Sequence, residues 1–211
     1  MKDALERVSE TFGVNELGDG LFGDFEFALR FELGGEIFPN IERPIPRFLQ
    51  ANERARSVAS FMFAKPERLT FLFFVNDYKK LSWRPLYDFK KTGLTRSDFA
   101  RLKSTLETDE DVIEGRDEDY YRHWYACSIE DSSVLDELIW MSTTREMPIE
   151  PCSSIKNKYL IDFDAGIAMQ IYDDRGMDVI ANSRGALLPT YRKFHSWLLD
   201  YNLEEMDDVF G

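Results

Sequence analysis

Reactive side chains are scarce in this chain of 211 residues: cysteine occurs twice, as Cys127 and Cys152, and histidine twice, as His123 and His195. Two cysteines are too few for a disulfide scaffold. Two Cys and two His at these spacings build no ordinary zinc site either. Basic residues are also short, with 26 Lys and Arg against 39 Asp and Glu, for a net charge of −13. Gripping nucleic acid requires clustered Lys and Arg to displace counterions, so this balance argues against that class. Long apolar runs are missing. The longest, Leu69 to Val75 (LTFLFFV), is far too short to span a bilayer. The opening MKDALERVSETFG carries no apolar signal core. A soluble cytoplasmic protein without membrane contact is expected.

What the chain does have is core material and localised charge. It is 44% hydrophobic with 17 Phe, and a chain of this length buries roughly 70% of its unfolded surface. The acids are concentrated in two places. Residues 107–119 hold eight acids and one base, a local −7, and residues 200–211 hold five acids and no base, a local −5. Elsewhere the chain is close to neutral.

Periodicity sets the expected elements. Leu5, Val8 and Phe12 recur at helical spacing over residues 3–12, and Gly13 ends that helix. Residues 15–24 form a glycine-rich turn. Phe25, Phe27, Leu29, Phe31 and Leu33 alternate with Glu26, Ala28, Arg30 and Glu32, the pattern of a half-buried strand with a mostly polar outer face. A helix is expected over about 47–64, with Phe48, Leu49, Ala55, Val58, Ala59 and Met62 as its buried stripe. Leu69 to Val75 reads as a central strand covered on both faces. Residues 77–94 are irregular. Thr95 N-caps a helix reaching about Leu106, with Asp98 in its first turn. The acidic stretch 107–119 is a loop, Tyr120 to Ser128 a strand, Ser132 to Met141 a helix, and residues 142–157 a linker carrying Pro148 and Pro151. From Lys158 onward, three strands meet at Asp164-Ala165-Gly166 and Asp173-Asp174-Arg175-Gly176, and an amphipathic segment closes the chain. The fold class is α+β, with a mixed, largely antiparallel sheet of about 5–6 strands against several helices, ending in a β-meander and a C-terminal helix. One domain spans 1–211, and any subdivision falls near 142–157.

No catalytic constellation emerges. Gly18, Gly20 and Gly23 (GDGLFG) imitate a dinucleotide loop but follow a helix and precede a strand, the reverse of what pyrophosphate binding needs. No cofactor is expected. Asp162, Asp164, Asp173, Asp174 and Asp178 offer hard-cation ligands, but their places in hairpin turns assign them to backbone hydrogen bonds, so no metal is expected. Paired with a carboxylate, either histidine would serve as a general base. Cys127 reads as a core residue, and Cys152, in the linker, as exposed. Trp83, Tyr87, Tyr120, Tyr121, Trp124, Trp140 and Trp197 are mostly core, with a ligand groove as the other reading.

One resemblance adds to this. Arg30-Phe31-Glu32-Leu33-Gly34 in the early strand, Tyr172, Asp173, Asp174, Arg175, Gly176, Asp178 and Ile180 in the late hairpin, and Tyr191, Trp197, Asp200 and Tyr201 beyond it form a pattern. It resembles a bacterial family, the domain of unknown function 3885. The resemblance implies a family and a bacterial source, and no reaction. Small acidic cytosolic bacterial proteins of this kind are often similar to immunity proteins for secreted toxins. The expectation is therefore a non-enzymatic protein-binding module, an immunity protein in its concrete form. It neutralises a basic protein through Asp109, Glu110, Asp111, Glu114, Asp117, Glu118 and Asp119, or through the acidic C-terminus. The alternative is a small-molecule binder or enzyme with a site between the sheet and the 77–94 segment, using Arg84, Trp83 and His123.

Overall fold

The computed structural model of the chain describes residues 3–37, 42–78, 84–108, 110–115 and 118–211. In chain order the elements are α1 (Ala4–Phe12), β1 (Ala28–Glu32), α2 (Ile45–Met62), β2 (Thr70–Tyr78), β3 (Ala100–Leu106), α3 (Glu110–Ile113) and β4 (Tyr120–Ser128). They continue with α4 (Ser132–Thr143), β5 (Lys158–Asp162), β6 (Ile167–Ile171), β7 (Gly176–Ala181), α5 (Arg184–Phe194) and α6 (Leu203–Phe210). Helix α1 starts where the Asp3 carboxylate accepts the Leu5 N–H at 2.9 Å. It stops at Gly13, whose φ of +75° suits a residue without Cβ.

The described strands form one antiparallel sheet in the order β1-β7-β6-β5-β2-β4-β3. Strand β5 pairs with β2, so the closing meander continues the sheet built by the first half of the chain. Its two hairpins are set by aspartates. Asp162 accepts the N–H groups of Asp164 at 3.0 Å and Ala165 at 2.9 Å, and Asp173 accepts that of Arg175 at 2.8 Å.

Both faces of the sheet are covered. Helices α2, α4 and α5 pack on the face that presents Leu29, Phe31, Phe71, Phe73, Leu160, Met169 and Val179. Residues 14–24 lie as a strap across the opposite face, with Leu17 and Leu21 wholly buried beneath it. Polar side chains of the sheet hold the strap by its backbone. Asp178 accepts the N–H groups of Leu21 at 3.1 Å and Phe22 at 3.0 Å, and also binds Arg30 at 2.8 Å. The Tyr159 hydroxyl donates to the Leu17 carbonyl at 3.4 Å, and the Gln170 amide donates to the Asp19 carbonyl at 3.3 Å. The GDGLFG glycines therefore belong to this strap and open no helix.

Three expectations change. Residues 100–106 are a strand and not a helix; Thr95 and Asp98 do form a reciprocal cap, but it closes only a 3-10 turn over Arg96–Asp98. This edge strand brings the described total to seven. The strap also covers the outer face of β1, which alternation alone assigns to solvent. Leu49 is 57% exposed, so the buried stripe of α2 runs through Phe48, Ala51, Ala55, Val58 and Ala59 instead.

Candidate functional site

The β3–β4 edge concentrates the features open to chemistry. Strand β3 closes one side of the sheet and, among the described residues, pairs only with β4. Arg101 faces Tyr125 and Ser104 faces His123, so two residues of β3, Leu102 and Lys103, oppose the single Trp124 of β4. This bulge sets Ser104, where a regular ladder would set Lys103, opposite the histidine. Ser104 Oγ lies 2.8 Å from His123 Nδ1, and His123 Nε2 lies 2.9 Å from the Tyr78 carbonyl oxygen. Ser104 is exposed, while His123 is 2% exposed and stacks beside Tyr121.

On the strap side of the same strands sits Arg122. Its guanidinium is 2.7 Å from Glu107, 3.5 Å from Glu16 and 3.9 Å from Asp19. Burial opposes its charge, but the hydrogen bond and charge of Glu107, helped by Asp19 and Glu16, hold its pKa above the ordinary arginine value. Glu107 is itself 3% exposed. It belongs to this buried cluster and not to the exposed acids that follow it at Glu110 and Glu114.

Beyond Glu107 the two strands are joined by the acidic segment, which contains the short helix α3. Glu110, Glu114, Glu118 and Asp119 are exposed. Among the described residues none of these four has an ion-pair partner. Asp109 and Asp117 lie outside the described residues, as does Trp83; of Asp111 and Arg84 only the backbone is described.

The other acidic segment occupies the far side of the molecule. The backbone N–H of Leu199 donates to the Arg30 carbonyl at 2.9 Å, and Met206 packs on Arg30, so α6 sits over β1. Strands β1 and β3 are the two outermost of the sheet. Six interstrand gaps of about 4.8 Å put the acidic segments roughly 29 Å apart along it.

The remaining candidates resolve into structural roles. Asp174 pairs with the buried Arg47, and Asp173 with Arg145 and Arg175, so the late hairpin is bound to α2 and to the end of α4. Among the described residues no group of three or more His, Cys, Asp or Glu is arranged to hold a metal ion. Burial pushes the Cys127 thiol up to about 12, and burial together with Glu150 raises that of Cys152. His195 does have a carboxylate partner, Asp207 at 3.1 Å, but both lie on the open surface beside Tyr191. A groove of about 680 Å³ opens at the other end of β3 and β4. Of its acids, Asp3, Asp98 and Asp131 are held by the turns they cap.

A family model described as a domain of unknown function, DUF3885, matches residues 5–202. No curated protein and no solved structure gives a significant match. Among the described residues, no helix is long and apolar enough to cross a membrane.

Proposed function

We propose that this chain, which belongs to the DUF3885 family, works as a cytosolic protein-binding module that docks a basic protein at its β3–β4 edge. Its concrete form is an immunity protein. Nuclease toxins are basic because they grip phosphates, and an acidic edge covers such a site. One observation carries the reading: Glu110, Glu114, Glu118 and Asp119 stand exposed without ion-pair partners among the described residues, whereas Glu16, Asp19, Glu107, Asp173, Asp174 and Asp178 are all paired inside the fold. Uncompensated surface charge steers encounter with a partner of opposite sign. The field of each acidic segment decays over about 8–10 Å at physiological salt. The C-terminal segment, roughly 29 Å away by strand spacing, therefore contributes little to docking at this edge.

The test is co-expression with the products of the flanking genes, then stopped-flow association of any pair that co-purifies. Neutralising Asp109, Glu110, Asp111, Glu114, Asp117, Glu118 and Asp119 together leaves the melting temperature near that of the parent, because exposed charges such as those of Glu110, Glu114, Glu118 and Asp119 contribute little to stability. Association slows and its salt dependence flattens. A partner that is acidic, or one that binds the neutralised variant at the parent rate across the salt series, refutes the reading.

A further inference from the structure

We propose that Ser104 is an acyl-accepting nucleophile and that His123 is its general base. The assignment starts from hydrogen-bond chemistry. A backbone carbonyl oxygen only accepts, so at 2.9 Å from the Tyr78 oxygen the His123 Nε2 must carry a hydrogen. A neutral imidazole has one N–H, which leaves Nδ1 with a bare lone pair. Ser104 Oγ, 2.8 Å away, therefore donates its hydroxyl proton to Nδ1. The carbonyl fixes both tautomer and ring orientation, the task a third group performs wherever histidine activates a hydroxyl.

Exposure supports the same roles. The base is 2% exposed and clamped, whereas the nucleophile is exposed on an edge strand. The bulge between Arg101 and Ser104 puts a hydroxyl opposite the imidazole where regular pairing would put the Lys103 side chain. Bulges re-aim side chains in this way beside reactive sites.

The edge also offers an oxyanion donor. The Glu107 N–H donates to the Tyr120 carbonyl, so Glu107 and Tyr120 form a hydrogen-bonded pair. Alternation along an antiparallel ladder makes Ser104 and His123 a non-bonded pair, in which the backbone N–H of Ser104 points away from β4 to the open side. A nucleophile's own N–H is well placed for charge developing on a carbonyl it attacks.

The substrate class is an acyl ester presented at an open surface. Oγ attacks the acyl carbon while its proton passes to Nδ1. The bond to the leaving oxygen then breaks, and that oxygen takes the proton from Nδ1. Water repeats the exchange, giving its proton to Nδ1 and releasing the acid and the free serine.

The probe is p-nitrophenyl acetate with the intact chain. The expected result is a burst of p-nitrophenol and an acetyl group located on Ser104 by peptide mass spectrometry. Ser97 and Ser128, both exposed, serve as internal controls. Ser104→Ala removes the burst, and His123→Asn slows it about 100-fold or more, the usual yield of a positioned base. Because His123 is buried, the asparagine variant is paired with a second measurement. A fluorophosphonate labels Ser104 in the native chain and loses that selectivity in urea. Acetylation spread evenly over the exposed serines, labelling of Ser104 that survives unfolding, or a folded His123→Asn variant with an undiminished burst each overturns the proposal. The docking reading rests on charge and binding kinetics, so either fails without the other.

Discussion

Lys158 begins β5 on the helix-covered face, opposite Phe73, and is only 3% exposed. Its ammonium donates to the Ile155 carbonyl. No carboxylate stands within ion-pair distance among the described residues. Burial, reinforced by the nearby Arg145 charge and only partly offset by Asp88 and Asp173, lowers its pKa from 10.5 to about 7. A base whose pKa falls on folding must release its proton to fold. The unfolded chain therefore binds more protons between the two values, and stability rises with pH through that window. At pH 7 a shift of this size costs the fold about 4 kcal/mol, and by pH 9 about 2 kcal/mol of that cost is removed. For a chain of this length, that recovery is a rise in melting temperature of roughly 4–8 °C. Lys158→Met keeps most of the volume and removes the titration, while leaving the Ile155 carbonyl without its donor at about 1–3 kcal/mol. The variant should thus be more stable than the parent near pH 7, by about 2 kcal/mol, with the advantage shrinking toward pH 9. Denaturant melts at half-unit steps between these limits measure the difference. The Cys127 thiol works in the opposite direction, since its raised pKa of about 12 makes the unfolded chain release a proton first. It is common to both proteins and cancels in the comparison. Parallel stability curves for parent and Lys158→Met would refute the argument.

Two substitutions test the packing on either side of the sheet. Phe31 is 1% exposed and faces Met177 on the helix-covered side, so Phe31→Asp should leave no soluble, cooperatively melting protein. A soluble variant with a cooperative melt would show that the face is misassigned. Asp178 is fully buried and holds Arg30 together with the strap. Asp178→Ala should cost about 3–5 kcal/mol by denaturant unfolding and deprotect the amides of Leu21 and Phe22 in hydrogen exchange, and unchanged protection there would sink the strap's proposed anchoring.

The fold was legible wherever burial and local turn chemistry point the same way. The apolar runs of β2 and β4 to β7, the aspartate turns, and the Asp3 to Gly13 helix are all readable from residue order. Residues 100–106 were not, and the bulge explains why. It carries Arg101 and Ser104 to one side of the strand at a spacing of three, which breaks the period of two. Phe99, Leu102 and Leu106 then fall at intervals of three and four, the signature of a helix, behind a sound Thr95–Asp98 cap. Pairing with β4 overrode that local preference, as tertiary context commonly does. The strap has a related cause. Its sequence reads correctly as a turn, but its anchors are more than 140 residues away in Tyr159, Gln170 and Asp178, and no local pattern reports such contacts.

The candidate site was legible in charge and illegible in pairing. Composition locates the acidic segment without difficulty, since charge is a property of the residues themselves. What each charge does depends on strand register. Glu107 and Glu110 are indistinguishable in sequence, yet the first is buried against Arg122, across the ladder, and the second stands in solvent. His123 was visible as one of two histidines, and a carboxylate was the natural partner to seek for it. Its actual partners are a serine 19 positions earlier and a main-chain oxygen, and neither carries any sequence signal of that contact. A one-residue change in the register of β3 would bring Lys103 to the histidine and turn Ser104 to the other face. The chemistry assigned to this edge therefore rests on the register that holds Ser104 against His123, and exchanging the two side chains (Lys103→Ser with Ser104→Lys), which moves the hydroxyl to the other face, should abolish the selective serine acylation at this edge while leaving the acidic tip in place.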